Sequence, residues 1–374
     1  MKICNRCVMD TTDSNISFNS DGVCDHCITF DNTISPYWDN SGRRENEFEK
    51  VAKNIRASGK GKDFDCIIGM SGGVDSSYLV YLAKEKLNLK PLVFHVDAGW
   101  NSQTAVNNIE QMVTKLNLDL YTEVINWEEI KDLQLSFFKS GVPHIDAPQD
   151  HAFFAVMYKF ANKYNVKHIL TGGNYSTECI RNPKEWMYYQ SDHIQIKDIQ
   201  KRFGNTQLKE FPLTNILWHK IYLPYFKGIK VYRPLDYFKY NKKEATEFLI
   251  KNFDYQPYSQ KHFESRFTKF YESYWLYEKF GFDTRKVQYS SLILTNQMTR
   301  DEALKELKSP PYNREEIHED IEFIANKLGI TEDELMSYLT SENKTYKDYR
   351  NIDFIYDIGS RIMRSIGLEK GGKR

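Results

Sequence analysis

From Asp65 onward, short apolar runs alternate with amphipathic helical stretches, the pattern of parallel strands joined by crossover helices. Strands are expected at 66–70, 91–96, 118–125 and 168–171, and the sheet resumes at 232–235. Between them, helical spacing predicts helices at 76–87, 103–115, 127–139 and 150–164. Asn241 and Glu244 make a capping box that opens a helix running to about residue 250. Past Tyr255 the strand pattern stops, and 298–307, 314–328 and 331–339 read as capped amphipathic helices. Upstream, 43–58 is a charged helix broken by Gly59-Lys60-Gly61. Residues 180–228 are rich in Trp, Tyr and Phe without a clear period and read as an insertion lying over a site, a lid. The expected organisation is a cysteine lobe at 1–35, a connector helix at 36–62, an α/β domain at 63–252 and a helical domain at 253–374.

A chain of 374 residues has length for two or three such units. Lys plus Arg and Asp plus Glu both total 51, so no net field draws in a polyanion, and nucleic-acid binding is disfavoured. No apolar run approaches the ~18 residues of a membrane span, and Met1-Lys2-Ile3-Cys4 opens without a signal-peptide core. The expectation is a soluble cytoplasmic protein with no membrane insertion.

Four of the six cysteines form two knuckles, Cys4-x2-Cys7 and Cys24-x2-Cys27. One tight turn aims each pair of sulfurs at a point, and two pairs complete a tetrahedron, so a structural Zn2+ ribbon is expected; an iron centre uses the same four thiolates. A closed four-sulfur site staples a lobe and leaves no open position for chemistry. Cys66 lies in an apolar strand and reads as packing, as does the lone Cys179.

The strand ending at Met70 runs through Ser71-Gly72-Gly73-Val74-Asp75-Ser76-Ser77 into a helix. Two glycines let the backbone approach a ligand closely, the helix start supplies partial positive charge, and the hydroxyls of Ser71, Ser76 and Ser77 add donors; together they suit a phosphate. The Gly-Lys-Ser/Thr ending of a Walker loop is absent. The string resembles the PP-loop of the ATP pyrophosphatase superfamily, which implies a grip on the outer phosphates of ATP and cleavage between α and β. Ser71, Asp75 and Ser76 are then the candidate catalytic residues. Asp75 is either a Mg2+-side carboxylate or an acid favoured by the helix dipole. Ligands of an open parallel sheet sit beyond the strands' carboxyl ends. That places Asp97, in His95 to Asn101, near adenosine, and Gly173, in Thr171-Gly172-Gly173-Asn174, beside the nucleotide. Arg233-Pro234-Leu235 ends there as well. Asp150 is a substrate contact or a helix cap, and His151 a candidate base.

Taken with Cys4-Asn5-Arg6-Cys7-Val8-Met9-Asp10-Thr11, Pro148-Gln149-Asp150-His151-Ala152, Glu264-Ser265-Arg266-Phe267-Thr268, Lys279-Phe280-Gly281 and Gln297-Met298-Thr299-Arg300, these stretches make the chain resemble the N-acetyl sugar amidotransferase family of bacterial surface-polysaccharide biosynthesis. Gln288-Tyr289 stands where that family usually has a His before Ser-Ser-Leu-Ile, and Asn296 where it has a Gly before Gln-Met. The resemblance implies a parallel sheet of the PP-loop (HUP, adenine nucleotide alpha hydrolase-like) type. It also implies activation of the acetamido oxygen of an N-acetylated sugar or nucleotide-sugar by ATP, and displacement of AMP by ammonia to give an acetamidino sugar. Neither Cys66 nor Cys179 lies in a nucleophile elbow, and the resemblance implies a separate glutaminase and cyclase-like pair as ammonia source. Asp150, His151, Asn174, Arg266 and Lys279 are the substrate-side candidates. With Arg285 and Lys286, the basic ones either meet a sugar carboxylate or phosphate or form a solvated charge face. A tRNA-modifying sulfur or amine transferase is the rival reading, because PP-loops and paired cysteine knuckles occur there too.

Overall fold

The computed structural model describes residues 2–365; residues 366–374, the end of the expected helical domain, lie outside them. Five parallel strands form one sheet in the order β3-β2-β1-β4-β5: β1 Cys66–Gly69, β2 Pro91–Asp97, β3 Leu120–Val124, β4 His168–Leu170 and β5 Lys230–Tyr232. The apolar runs of β1 and β2 put them at the centre, buried on both faces, whereas β3 and β5 expose residues at the edges. Chain order reverses between β1 and β4, each of which pairs directly with the other. A crevice therefore opens beyond their carboxyl ends, where the loop after β1 and the turn after β4 come together.

The predicted order of elements is present, with three differences. The last strand lies at Lys230–Tyr232 rather than 232–235, and Pro234–Asp236 is a 3-10 turn, because Pro234 has no N–H to give a ladder. The helix after the glycine loop starts at Val74 and becomes a π-helix over Leu82–Lys86. At Lys242–Phe253 only half of the expected capping box forms: Asn241 accepts from the Glu244 N–H at 3.0 Å, while the Glu244 carboxylate turns toward Lys239. A full box does form at Thr299 and Glu302.

Segment 180–228 is woven into the interior. Ile196, Ile199, Phe211 and Leu223 are buried in the core that packs under β2, and Trp186 is stacked on Phe282 at 5.0 Å beside the cysteine lobe. The helices that follow Tyr255 share the same apolar core: Phe267, Phe270, Trp275 and Leu276 meet Phe137, Phe138 and Ile324. At about 1.5–3 kcal/mol per fully buried large side chain, this shared core fixes the helical region against the sheet. Among the described residues no helix is long and apolar enough to cross a membrane.

Candidate functional site

The loop after β1 is shaped by its two glycines. Gly72 has φ of +88°, and a Cβ there would stand 2.7 Å from the Ala105 carbonyl oxygen. A Cβ on Gly73 would collide with the carboxylate of Glu264. The Ser71 hydroxyl accepts from the Gly73 N–H at 3.3 Å, and Ser76 Oγ donates to the Gly73 carbonyl at 3.1 Å, so the hydroxyls hold the bend from within. Ser77 is fully buried and its hydroxyl is without a partner, a donor next to the helix start with nothing in the fold to satisfy it. A narrow glycine cradle with an orphaned hydroxyl fits a polyphosphate.

The turn after β4 closes over this loop. A Cβ on Gly172 would stand 3.0 Å from the Ser76 nitrogen, so glycine permits the contact. Asn174, fully buried, caps Tyr175–Glu178 by accepting from the Thr177 N–H at 2.9 Å and donates to the Gly172 carbonyl. It positions the turn. Arg233 donates from Nε to the Gly173 carbonyl at 3.0 Å, pairs with Asp236 and lies over the Tyr175 ring at 4.4 Å. Asp97 Oδ1 accepts from the Gly99 N–H at 2.7 Å, which shapes the turn after β2.

Charges from distant segments complete the site. Asp75 accepts from the Tyr240 hydroxyl and faces Lys261 Nζ at 3.6 Å, and Lys261 also pairs with Glu178. Burial alone would lower Lys261, but Glu178 and Asp75 outweigh it and raise it above the ordinary lysine value, so a fixed cation stands beside the loop. Lys242 is pushed down by burial. Burial first, then the Asp75 charge, raise Glu264 above the usual carboxylate range. His262 Nδ1 lies 2.8 Å from Glu272 Oε1; burial opposes its charge, yet the carboxylate raises it to about 9. Its stabilising contribution is complete below the ordinary 6.5 and is lost as pH rises through about 9. Melting temperature is expected to fall across that interval in the wild type and less so in Glu272→Gln, as calorimetry at stepped pH will show.

Other sequence candidates have structural partners. His151 is fully buried, with Nδ1 donating to the Gln190 carbonyl and Nε2 accepting from the Thr214 N–H; burial pushes it down to about 4. With both nitrogens committed it is a neutral strut, not a base. Asp150 does not cap its helix; it faces His144 Nε2 at 3.5 Å. Arg266 pairs with Asp320 and stacks on Phe323, Lys279 donates to the carbonyls of Tyr338, Leu339 and Ser341, Arg285 forks onto Asp283, and Lys286 meets Asp10 at 2.7 Å. Each of these four cations is answered inside the fold. The residues missed from sequence are Lys242, Lys261, His262, Glu264, Glu178 and Tyr240; the density of ionisable groups in Lys261-His262-Phe263-Glu264, outside any helix pattern, was the available signal.

The four N-terminal cysteines converge, with sulfurs 3.6–3.9 Å apart in the pairs Cys7–Cys24, Cys24–Cys27 and Cys4–Cys27. Tetrahedral zinc with Zn–S near 2.3 Å demands an edge of about 3.8 Å, so the set fits. N–H groups of Arg6, Met9 and Cys24 point at the sulfurs, and Arg300 donates to the carbonyls of Cys4 and Cys7. Among the described residues this is the sole ready-made metal cluster.

The sheet order, glycine loop and cysteine lobe define a parallel α/β protein with a Ser-Gly-Gly loop at the reversal point of its sheet and an N-terminal four-cysteine cluster that can bind zinc. Residues 264–363 match the family model "LPS biosynthesis protein WbpG-like, C-terminal domain". The chain is 22% identical over 327 residues to "Uncharacterized protein MJ1599" of Methanocaldococcus jannaschii, covering 85% of this chain and 97% of that protein. It is 28% identical over 140 residues to "tRNA-specific 2-thiouridylase MnmA 2" of Fusobacterium nucleatum, covering 35% of this chain and 40% of that one. Among solved structures it is similar to the NMN synthetase of Francisella tularensis (18% identity, TM-score 0.28, 60% of this chain and 92% of that one). It is also similar to the NH3-dependent NAD synthetase of Campylobacter jejuni (15% identity, TM-score 0.29, 71% and 97%).

Proposed function

We propose that the protein is an ATP-dependent amidotransferase that adenylylates the acetamido oxygen of an N-acetylated, nucleotide-linked sugar. Ammonia then displaces AMP to give an acetamidino sugar. The observation that carries this is the glycine cradle after β1, lying at the reversal point of the sheet with its unsatisfied Ser77 hydroxyl and the buried Lys261 cation alongside. The WbpG-like match over 264–363 supports a surface-polysaccharide sugar as the acceptor.

An amide oxygen leaves poorly, whereas AMP leaves well, so the first task is to break ATP between α and β. Loop N–H groups, Ser71, Ser76, Ser77 and Lys261 answer the charge that gathers on pyrophosphate. Asp75, Glu178 and Glu264 are the carboxylates beside the loop that would hold Mg2+, which when bound would neutralise phosphate charge. Tyr240 and Lys261 orient Asp75, and Arg233 holds the Gly172-Gly173 turn that flanks the loop. Ammonia comes from a separate glutaminase and cyclase-like pair, and an excluded crevice keeps it from protonation.

The tRNA-modifying reading draws on the thiouridylase similarity over 35% of the chain. Sulfur transfer through a persulfide on this chain would need a reactive thiolate, but the two cysteines outside the cluster are buried; Cys66 is pushed up by burial and Cys179 up to about 12. Incubation with ATP, ammonium and N-acetylated nucleotide-sugars, or with tRNA, decides between them. AMP release is expected to require the sugar and ammonium; release that requires tRNA overturns the proposal.

A further inference from the structure

The outer part of segment 180–228 forms a surface that the reaction leaves unused. The π-helix Trp218–Phe226 is anchored by Leu223, which is fully buried, and by His219, whose ring stacks on Tyr158 of helix Ala147–Lys163 at 5.8 Å. Its other large apolar side chains face outward. Ile221, Tyr222, Tyr225 and Phe226 are exposed, the last two to 69% and 75%, with Leu217 before them and Val231 of the edge strand β5 after them. Tyr222 and Phe226 stack on each other at 5.9 Å, which joins the rings into one patch. Exposed apolar side chains gathered in this way, instead of scattered singly, mark a contact face.

Basic groups frame the patch. No Asp or Glu occurs in 151–177 or in 211–235, although 51 of the 374 residues are acidic. The two stretches are neighbours in space: the Lys230 N–H donates to the Lys167 carbonyl and Lys167 Nζ to the Lys227 carbonyl, each at 2.8 Å. Lys163, Lys167, Lys227 and Lys230 therefore gather where β4 and β5 begin. Lys227 Nζ lies 5.7 Å from the Tyr222 ring and Lys163 Nζ 5.2 Å from the Tyr164 ring, and among the described residues none of the four pairs with a carboxylate. This is the end of the sheet opposite the crevice, so a partner that covers the patch leaves the glycine loop open.

We propose that this face adsorbs the protein onto a bilayer surface carrying anionic phospholipid headgroups. Phe226, Ile221, Leu217 and Val231 enter the boundary of the acyl region, the tyrosines stand at headgroup depth, and the lysines meet lipid phosphates. Nucleic acid suits the face less well. Leu217, Ile221 and Val231 offer no ring for a base to stack on, and the one arginine of the two stretches, Arg233, is held by the Gly173 carbonyl and Asp236. The proposal does not depend on the reaction proposed above.

The test is co-sedimentation of the full chain with vesicles of phosphatidylcholine alone or with about 30% phosphatidylglycerol, in low salt and in about 0.5 M salt. Binding is expected only to the anionic vesicles and is weakened by salt. Lys227→Glu with Lys230→Glu should weaken it about twentyfold or more, at about fivefold per lysine lost. Tyr225→Ser with Phe226→Ser should weaken it about tenfold or more, and this loss persists at high salt. Both double variants should keep the wild-type melting temperature and the wild-type rate of AMP formation in solution. Binding is read without turnover, so failure of the lipid contact and failure of the amidotransferase reading are seen separately. Equal binding to neutral vesicles, anionic binding that both double variants retain, or no vesicle binding overturns the proposal. In the last case, tRNA binding or a dimer of this chain that the same substitutions abolish would give the face to that occupant instead.

Discussion

Ser76→Ala is expected to lower kcat by about 10²–10³-fold while moving the melting temperature by less than the equivalent of ~1 kcal/mol. The hydroxyl lies inside the loop, donating to the Gly73 carbonyl and facing Ser71, and supports no other element. Lys261→Met should lose as much activity but behave differently in stability. It removes the cation between Asp75 and Glu178, and two carboxylates left without their shared cation cost about 2–4 kcal/mol after discounting for the exposure of Glu178. Asp75→Ala falls in the second group, since Asp75 also accepts from Tyr240. Product assays and melts of the three variants check this: a Ser76→Ala protein that unfolds early would mean the bend is a structural turn.

Cys7→Ser should remove the metal and cost more stability than any other single change. Structural zinc supplies on the order of 10 kcal/mol of binding energy to small lobes, and three thiolates retain only part of it. The damage should spread to the site by a defined route. The Val8 N–H donates to Ser290, the Ile180 N–H to Ser291, and Thr295 and Gln297 donate to the Ser176 carbonyl, so helix Arg285–Leu294 links the cysteine lobe to the turn after β4. Metal analysis should find one zinc per chain in the wild type and none after exhaustive chelation, with chelation lowering the melting temperature as the substitution does.

Local signals were legible because their physics is local. A Ser-Gly-Gly string between an apolar run and a helix has few other uses, and Cys-x2-Cys knuckles have a geometric reason for their spacing. What escaped was assembled over distance. Lys261 and Glu264 lie some 190 residues along the chain from the loop they border, and nothing periodic marks them. Charge alone also misled: Arg266, Lys279, Arg285 and Lys286 looked available in sequence, whereas each is answered by a carboxylate or by carbonyls of another segment. His151 was read as a base from its residue type, but only the fold reveals that Gln190 and Thr214 occupy both its nitrogens.

The central claim is that the bend after β1 directs cleavage of ATP between the α and β phosphates onto a substrate oxygen. Chromatography of the nucleotide products from a reaction with ammonium and an N-acetylated nucleotide-sugar tests it most directly. The account predicts AMP and pyrophosphate in equal amounts, both lost in Ser76→Ala; formation of ADP and inorganic phosphate, or AMP release that survives in Ser76→Ala, would contradict it.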